Sequence, residues 1–144
     1  MGKKRVARKK GGGMDSGLRT RALSRVPKKK IAAGKLHVQA TYNNTIGTLA
    51  DLQGNVLIWA SSGGLGFKGT RKGTPYAAAK VGEILGEKAG MMNMQSVDVI
   101  VKGVGAGRES IIRAFASKGL EIRVIKDMTP VPFNGPRPKK PRRV

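Results

Sequence analysis

The residues best suited to chemistry lie in one glycine-rich stretch, Gly63-Gly64-Leu65-Gly66-Phe67-Lys68-Gly69-Thr70-Arg71-Lys72. Glycine lets backbone N–H groups approach an anion closely, and Lys68, Arg71 and Lys72 add positive charge, so the stretch suits phosphate. A plain mobile loop is the competing reading. It is not a nucleoside-triphosphate loop: the spacing from Gly64 to Gly69 fits, but Thr70-Arg71 stands where Lys and then Ser or Thr are required. Phe67 reads equally as a stacking platform for an unpaired base and as an anchor on the core.

A second glycine turn, Gly103-Val104-Gly105-Ala106-Gly107-Arg108, departs from a dinucleotide fingerprint because Arg108 occupies the place of its third glycine. What remains is a strand-to-helix turn whose free N–H groups favour an anion, with Arg108 at the helix start to hold it. The alternative is a tight turn closed by Glu109 or Ser110 as a local cap. The eight acidic residues are scattered singly and the chain has no cysteine, so neither a carboxylate pair nor a thiolate site is visible. His37, the only histidine, alternates with Gln39 and Thr41 and reads as a polar, ligand-facing side chain rather than a general base. No catalytic residue, metal ligand, cofactor or small-molecule substrate is expected.

These residues sit in a very basic chain: 29 Lys and Arg against 8 Asp and Glu give a formal charge of +21 over 144 residues. Such an excess repels itself unless a polyanion neutralises it. Residues 1–35 hold thirteen basic and one acidic residue, residues 36–127 eleven and seven, and residues 128–144 five and none. The pattern is a nearly balanced body between two basic arms, which makes three segments: an arm over 1–35, a body over 36–127 and a tail over 128–144. The first arm carries Lys3, Lys4, Arg5, Arg8, Lys9 and Lys10, then Lys28, Lys29 and Lys30. The tail interleaves Arg137, Lys139, Lys140, Arg142 and Arg143 with Pro130, Pro132, Pro136, Pro138 and Pro141. Extended, proline-stiffened backbone with cationic side chains suits a nucleic-acid groove.

No apolar run approaches the ~18–20 residues of a membrane span, and no secretory signal is visible at the N-terminus. The lack of cysteine is compatible with a reducing cytoplasm. A transit peptide is the minor reading of Arg19, Arg21 and Arg25.

The body that must position the glycine turns reads as α/β. Alternation puts Leu36, Val38, Ala40 and Tyr42 on one strand face and His37, Gln39 and Thr41 on the other. Asn43-Asn44 is turn chemistry, Thr45 to Ala50 resumes a strand, and Asp51-Leu52-Gln53-Gly54 predicts a type I turn. Val56 to Ala60 predicts a buried strand that completes a three-stranded meander. Thr74 and Pro75 mark a helix start, with the helix running to Ala89 and stopped by Gly90. Gly82 and Gly86 predict close packing of that helix on the sheet. A strand over 97–102, a helix over 108–118 closed by Gly119, and a strand over 120–126 follow. The result is a mixed five-stranded sheet flanked by two helices, because parallel neighbours need helical crossovers.

Four strings in this order resemble the bacterial form of the S-eleven family of small-subunit ribosomal proteins: Tyr42-Asn43-Asn44-Thr45; Gly66 to Pro75; Gly103 to Ser110; and Asp127 to Pro138. The resemblance covers about residue 36 to the C-terminus. It implies a mixed sheet with two helices, placed on the subunit platform beside the mRNA exit path, and a role in shaping that platform in the cytoplasmic ribosome. It also implies ribosomal RNA contacts at Asn43, Asn44 and Thr45, at Gly66, Phe67, Lys68, Gly69, Thr70, Arg71, Lys72 and Thr74, at Gly105, Gly107 and Arg108, and along the basic tail including Asn134 and Gly135. Its implied neighbours are platform proteins of the S-seven, S-eighteen and S-twenty-one types and initiation factor three. Phe133 and Pro136 depart from the His and Cys usual beside Asn134-Gly135, and the segment before Leu36 is longer than usual. The charge alone would equally suit a general nucleic-acid-compacting protein. Asn134 followed by Gly135 is also a candidate for deamidation.

Overall fold

The computed structural model describes residues 16–141. Lys3, Lys4, Arg5, Arg8, Lys9, Lys10, Arg142 and Arg143 lie outside them. The order is α1 (Ser16–Ser24), β1 (Ala33–Ala40), β2 (Thr45–Asp51), β3 (Val56–Ser61), a 3-10 turn (Gly69–Gly73), α2 (Pro75–Met91), β4 (Ser96–Lys102), α3 (Arg108–Ala116) and β5 (Glu121–Asp127). The five strands form one mixed sheet in the order β3-β2-β1-β4-β5. β1, β2 and β3 pair antiparallel as a meander, whereas β4 and β5 are parallel to β1. Each parallel step is made through a helix, α2 and then α3, as crossover geometry demands.

Both crossover helices meet the core. Leu36, Val38, Leu49, Ile58, Val97 and Val99 from the sheet are buried with Val81, Ile84 and Leu85 of α2 and Ile111 and Phe115 of α3. The alternation along β1 holds for Leu36, Val38 and Ala40, but Tyr42 falls past the strand end and is 79% exposed.

Several expectations change. Val56 to Ala60 is an apolar run, yet β3 is an edge strand: Ile58 and Ala60 face the core while Val56 and Trp59 are exposed. Gly90 does not stop α2. The helix runs to Met91, and Asn93 at φ 57° ends it, with Met94 N–H donating to Ala89 O and Asn93 N–H to Gly90 O. This is a Schellman closure with Asn in the left-handed position usually held by glycine.

Gly82 and Gly86 serve helix-on-helix rather than helix-on-sheet packing. A Cβ on Gly82 would lie 2.4 Å from Ile111 O, and one on Gly86 2.7 Å from Lys118 Cγ. Within the basic arm, Ser16–Ser24 is helical although it has no apolar stripe and buries no residue. It is held from outside, by Arg19 on Glu87 of α2 at 2.7 Å and by partly buried Ala22 and Leu23 against the core.

Candidate nucleic-acid interface

Parallel strands β1 and β4 end, and helices α2 and α3 begin, at the same end of the sheet, so the connecting loops meet there. Such crevices at strand carboxyl ends are where open α/β sheets bind ligands. Gly73 lies so close to Tyr42 O that a Cβ would stand 2.2 Å away, which joins the 3-10 turn to the Asn43-Asn44 turn. Gly103 and Gly105 press equally closely on the carbonyls of Ala40 and Thr41, and Gly105 N–H donates to Ala40 O at 2.9 Å. The tail begins here too, since Met128 N–H donates to Val101 O and the Thr129 hydroxyl accepts from Gly103 N–H. The turn, the loop, the second glycine turn and the tail root therefore form one continuous surface.

Its outward residues are Asn43, Lys68, Gly69, Thr70 and Arg71, with Lys72 and Thr74 half-buried behind them. Five of the body's seven acids are held in ion pairs: Glu87 with Arg19 and Lys118, Glu83 with Lys80, Asp98 with Arg123, Glu109 with Arg113, and Asp127, at the tail root itself, with Arg108. Among the described residues no carboxylate pairs with Lys68, Arg71 or Lys72. Thr74 fixes the loop to the helix, its hydroxyl donating to Arg71 O at 2.7 Å and accepting from Ala77 N–H at 3.3 Å. The start of α3 has no side-chain cap, so neither Glu109 nor Ser110 closes it.

Other expected contact residues turn inward. Phe67 is only 8% exposed and meets Tyr76 edge-on, centroids 6.0 Å apart, so it anchors the loop and offers no open ring face. Tyr76, 52% exposed beside it, is the ring a base could reach, and only its position directly after Thr74-Pro75 hinted at this. Thr45 is fully buried with its hydroxyl unpartnered among the described residues, while its N–H is held by Asn44 Oδ1 at 3.0 Å. Gly105 and Gly107 are buried, and a Cβ on Gly107 would stand 2.4 Å from Thr45 Oγ1. Their part is to let the turn between β4 and α3 close on the end of β1, on Thr45 at the start of β2 and on Ala78 of α2.

Arg108 is turned to the protein rather than outward. Its guanidinium donates to Gly103 O, to Thr129 Oγ1 at 3.3 Å and to Asp127 Oδ2. Asp127 is held in addition by the Thr129 hydroxyl and N–H, and these bonds, with Arg108, depress its pKa to about 2. Arg108 thus ties the tail root to the glycine turn. Lys28, Lys29 and Lys30 precede β1 and so lie towards the other end of the sheet, exposed. Asn134, at φ 54°, Gly135, Arg137, Lys139 and Lys140 are exposed along the tail. His37 is half-buried on the sheet face that no crossover helix covers, and burial, then Lys102 and Lys35, lower its pKa below the ordinary histidine value.

A family profile described as ribosomal protein S11 matches residues 34–143. The chain belongs to the ribosomal protein S11 family. The small ribosomal subunit protein uS11 of Thermosipho africanus is 52% identical over 122 residues, 85% of this chain and 95% of that protein. Its counterpart in Treponema pallidum is 53% identical over 120 residues, covering 83% and 95%. That of Thermotoga maritima is 50% identical over 141 residues, covering 96% and 100%. As an S11 family member the chain is a structural constituent of the small ribosomal subunit and not an enzyme. The resemblance read from the four strings and the mixed five-stranded sheet are both borne out. No helix among the described residues is long and apolar enough to cross a membrane.

Proposed function

We propose that this S11 family protein binds small-subunit ribosomal RNA through the loop end of its sheet and helps shape the subunit platform beside the mRNA exit path in the cytoplasmic ribosome. The observation that carries the reading is the convergence there of Lys68, Arg71 and Lys72, none paired with a described carboxylate, with the Asn43-Asn44 turn and the root of the cationic tail. Phosphates are the partners that such unpaired cations select, and the rigid body fixes where they are held. The arm over 1–35 and the tail over 128–144 extend the contact with Lys3, Lys4, Arg5, Arg8, Lys9, Lys10, Lys28, Lys29, Lys30, Arg137, Lys139, Lys140, Arg142 and Arg143. Neighbouring platform proteins of the S-seven, S-eighteen and S-twenty-one types, and initiation factor three, would lie close by. Asn134, exposed and followed by Gly135, is a candidate for deamidation.

Sedimentation of a tagged copy from lysate at low and high salt tests the reading. Co-migration with small subunits at both salts is expected, and an Arg71→Ala, Lys72→Ala double variant should be depleted from them at high salt. Migration with bulk DNA or as free protein would replace this reading with that of a general nucleic-acid-compacting protein.

A further inference from the structure

A cleft of about 750 Å³ runs between α1 and the free edge of β3, closed at one side by Gly64 and Leu65 of the glycine-rich stretch. Its apolar wall is Leu18, Leu57 and Leu65, and Trp59 lines it while 63% exposed. Its polar groups include Arg21, Arg25 and Lys88, and among the described residues no carboxylate lines it. Lys88 projects from α2 and is only 5% exposed, yet among the described residues no acceptor takes a hydrogen bond from its ammonium. Burial, and after it the charge of Arg25, lower the Lys88 pKa, and a desolvated charge is costly unless an anion joins it.

We propose that this cleft is a second RNA-binding site, which takes one unpaired nucleotide across the free edge of β3, its base stacked on Trp59 on the face away from α2 and its phosphate held on the other side by Lys88, Arg25 and Arg21. Three cations without an acid select a polyanion over a neutral or basic peptide. An exposed indole bordering an apolar wall gives a base the flat partner that single-stranded nucleic acid uses, tolerant of sequence because every base has a π-face. The outer edge of β3 pairs with no described strand, so backbone groups there remain available to the sugar or base edge. The inference rests on the RNA-binding reading but uses none of the loop cations Lys68, Arg71 and Lys72.

Trp59 is the only tryptophan, so its fluorescence reports this cleft alone. Titrating the full chain with a hexa-adenylate RNA should quench Trp59 saturably, and inorganic tripolyphosphate should reverse the quenching. Lys88→Met, which keeps length and removes the buried charge, should weaken this binding about tenfold, as should the surface change Arg25→Ala. Filter binding of a long ribosomal RNA fragment is measured in parallel. Long RNA bound with Trp59 undisturbed by hexa-adenylate would overturn the cleft and leave the loop surface standing. Equal hexa-adenylate affinity in wild type and both variants, or tighter quenching by an acidic peptide than by RNA, would also overturn it. Loss of all RNA binding would remove both readings together.

Discussion

Arg108 stands at the head of a helix beside three glycines, where a cation reads as an anion ligand, yet it bonds Gly103 O, Thr129 Oγ1 and Asp127. Nothing local in the sequence shows that Asp127, nineteen positions away, returns to it. Asp127 gives a direct handle on this knot. Its pKa falls from 3.8 to about 2, first through the Thr129 hydroxyl and then through Arg108. Because the folded value lies below the unfolded one, the stabilisation is complete above about pH 4 and is lost as pH falls through about 2. A carboxyl-carbon NMR titration should place the Asp127 midpoint near 2, and Thr129→Val should move it up towards 3.8. An unmoved midpoint in the variant would mean that Arg108 and the backbone N–H of residue 129 hold the carboxylate without the hydroxyl.

At the scale of elements, glycines in α2 divide into those that face a neighbour and those that face nothing, which makes a paired test. A Cβ on Gly82 would meet backbone Ile111 O at 2.4 Å, whereas one on Gly90 meets no atom within 4 Å. Alanine is the better helix former by ~1 kcal/mol at either place. At Gly82 the forced separation of α2 from α3 should exceed that gain, so Gly82→Ala is expected to destabilise by ~1–3 kcal/mol. Gly90→Ala should stabilise by ~0.5–1 kcal/mol. Urea unfolding of the two variants checks both signs. The same pair shows what was legible: that α2 exists, starts at Thr74-Pro75 and carries a tight face was readable from capping chemistry and spacing. Which neighbour receives that face was not, because periodicity gives the side of a helix and not its partner. The end of α2 was misplaced because Gly90 looked like the stop, while Asn93 takes the left-handed conformation three residues later. The meander followed by helical crossovers was readable too, but the strand order was not, because nothing in the pattern says that β4 joins the sheet beside β1. α1 was invisible because its stability comes from Glu87 and the core rather than from an apolar stripe of its own. In the interface, glycine spacing located the turns correctly, but it could not show that Gly105 and Gly107 admit β1 and Thr45 rather than an anion.

For the whole molecule the charge distribution sets how RNA affinity depends on salt, since each neutralised phosphate releases counterions. The tail carries Arg137, Lys139, Lys140, Arg142 and Arg143. Among the described residues only its root is tied to the body, through Met128 N–H on Val101 O and through Thr129, and residues 131–141 are exposed throughout. A chain ending at Pro130 therefore keeps every described tie to the body and loses five cations. Its thermal midpoint should match that of the full chain. The slope of log affinity against log salt should become shallower by at most ~3.5, from ~0.7 per phosphate on single-stranded RNA. A cut before Thr129 should instead lower the midpoint, because Gly103 N–H and Asp127 then lose their hydroxyl partner. If the shorter chain kept the full slope, the tail would make no phosphate contacts, and the loop surface with the arm would carry the electrostatic part of binding. If its midpoint fell as well, residues beyond Pro130 would pack on the body in solution.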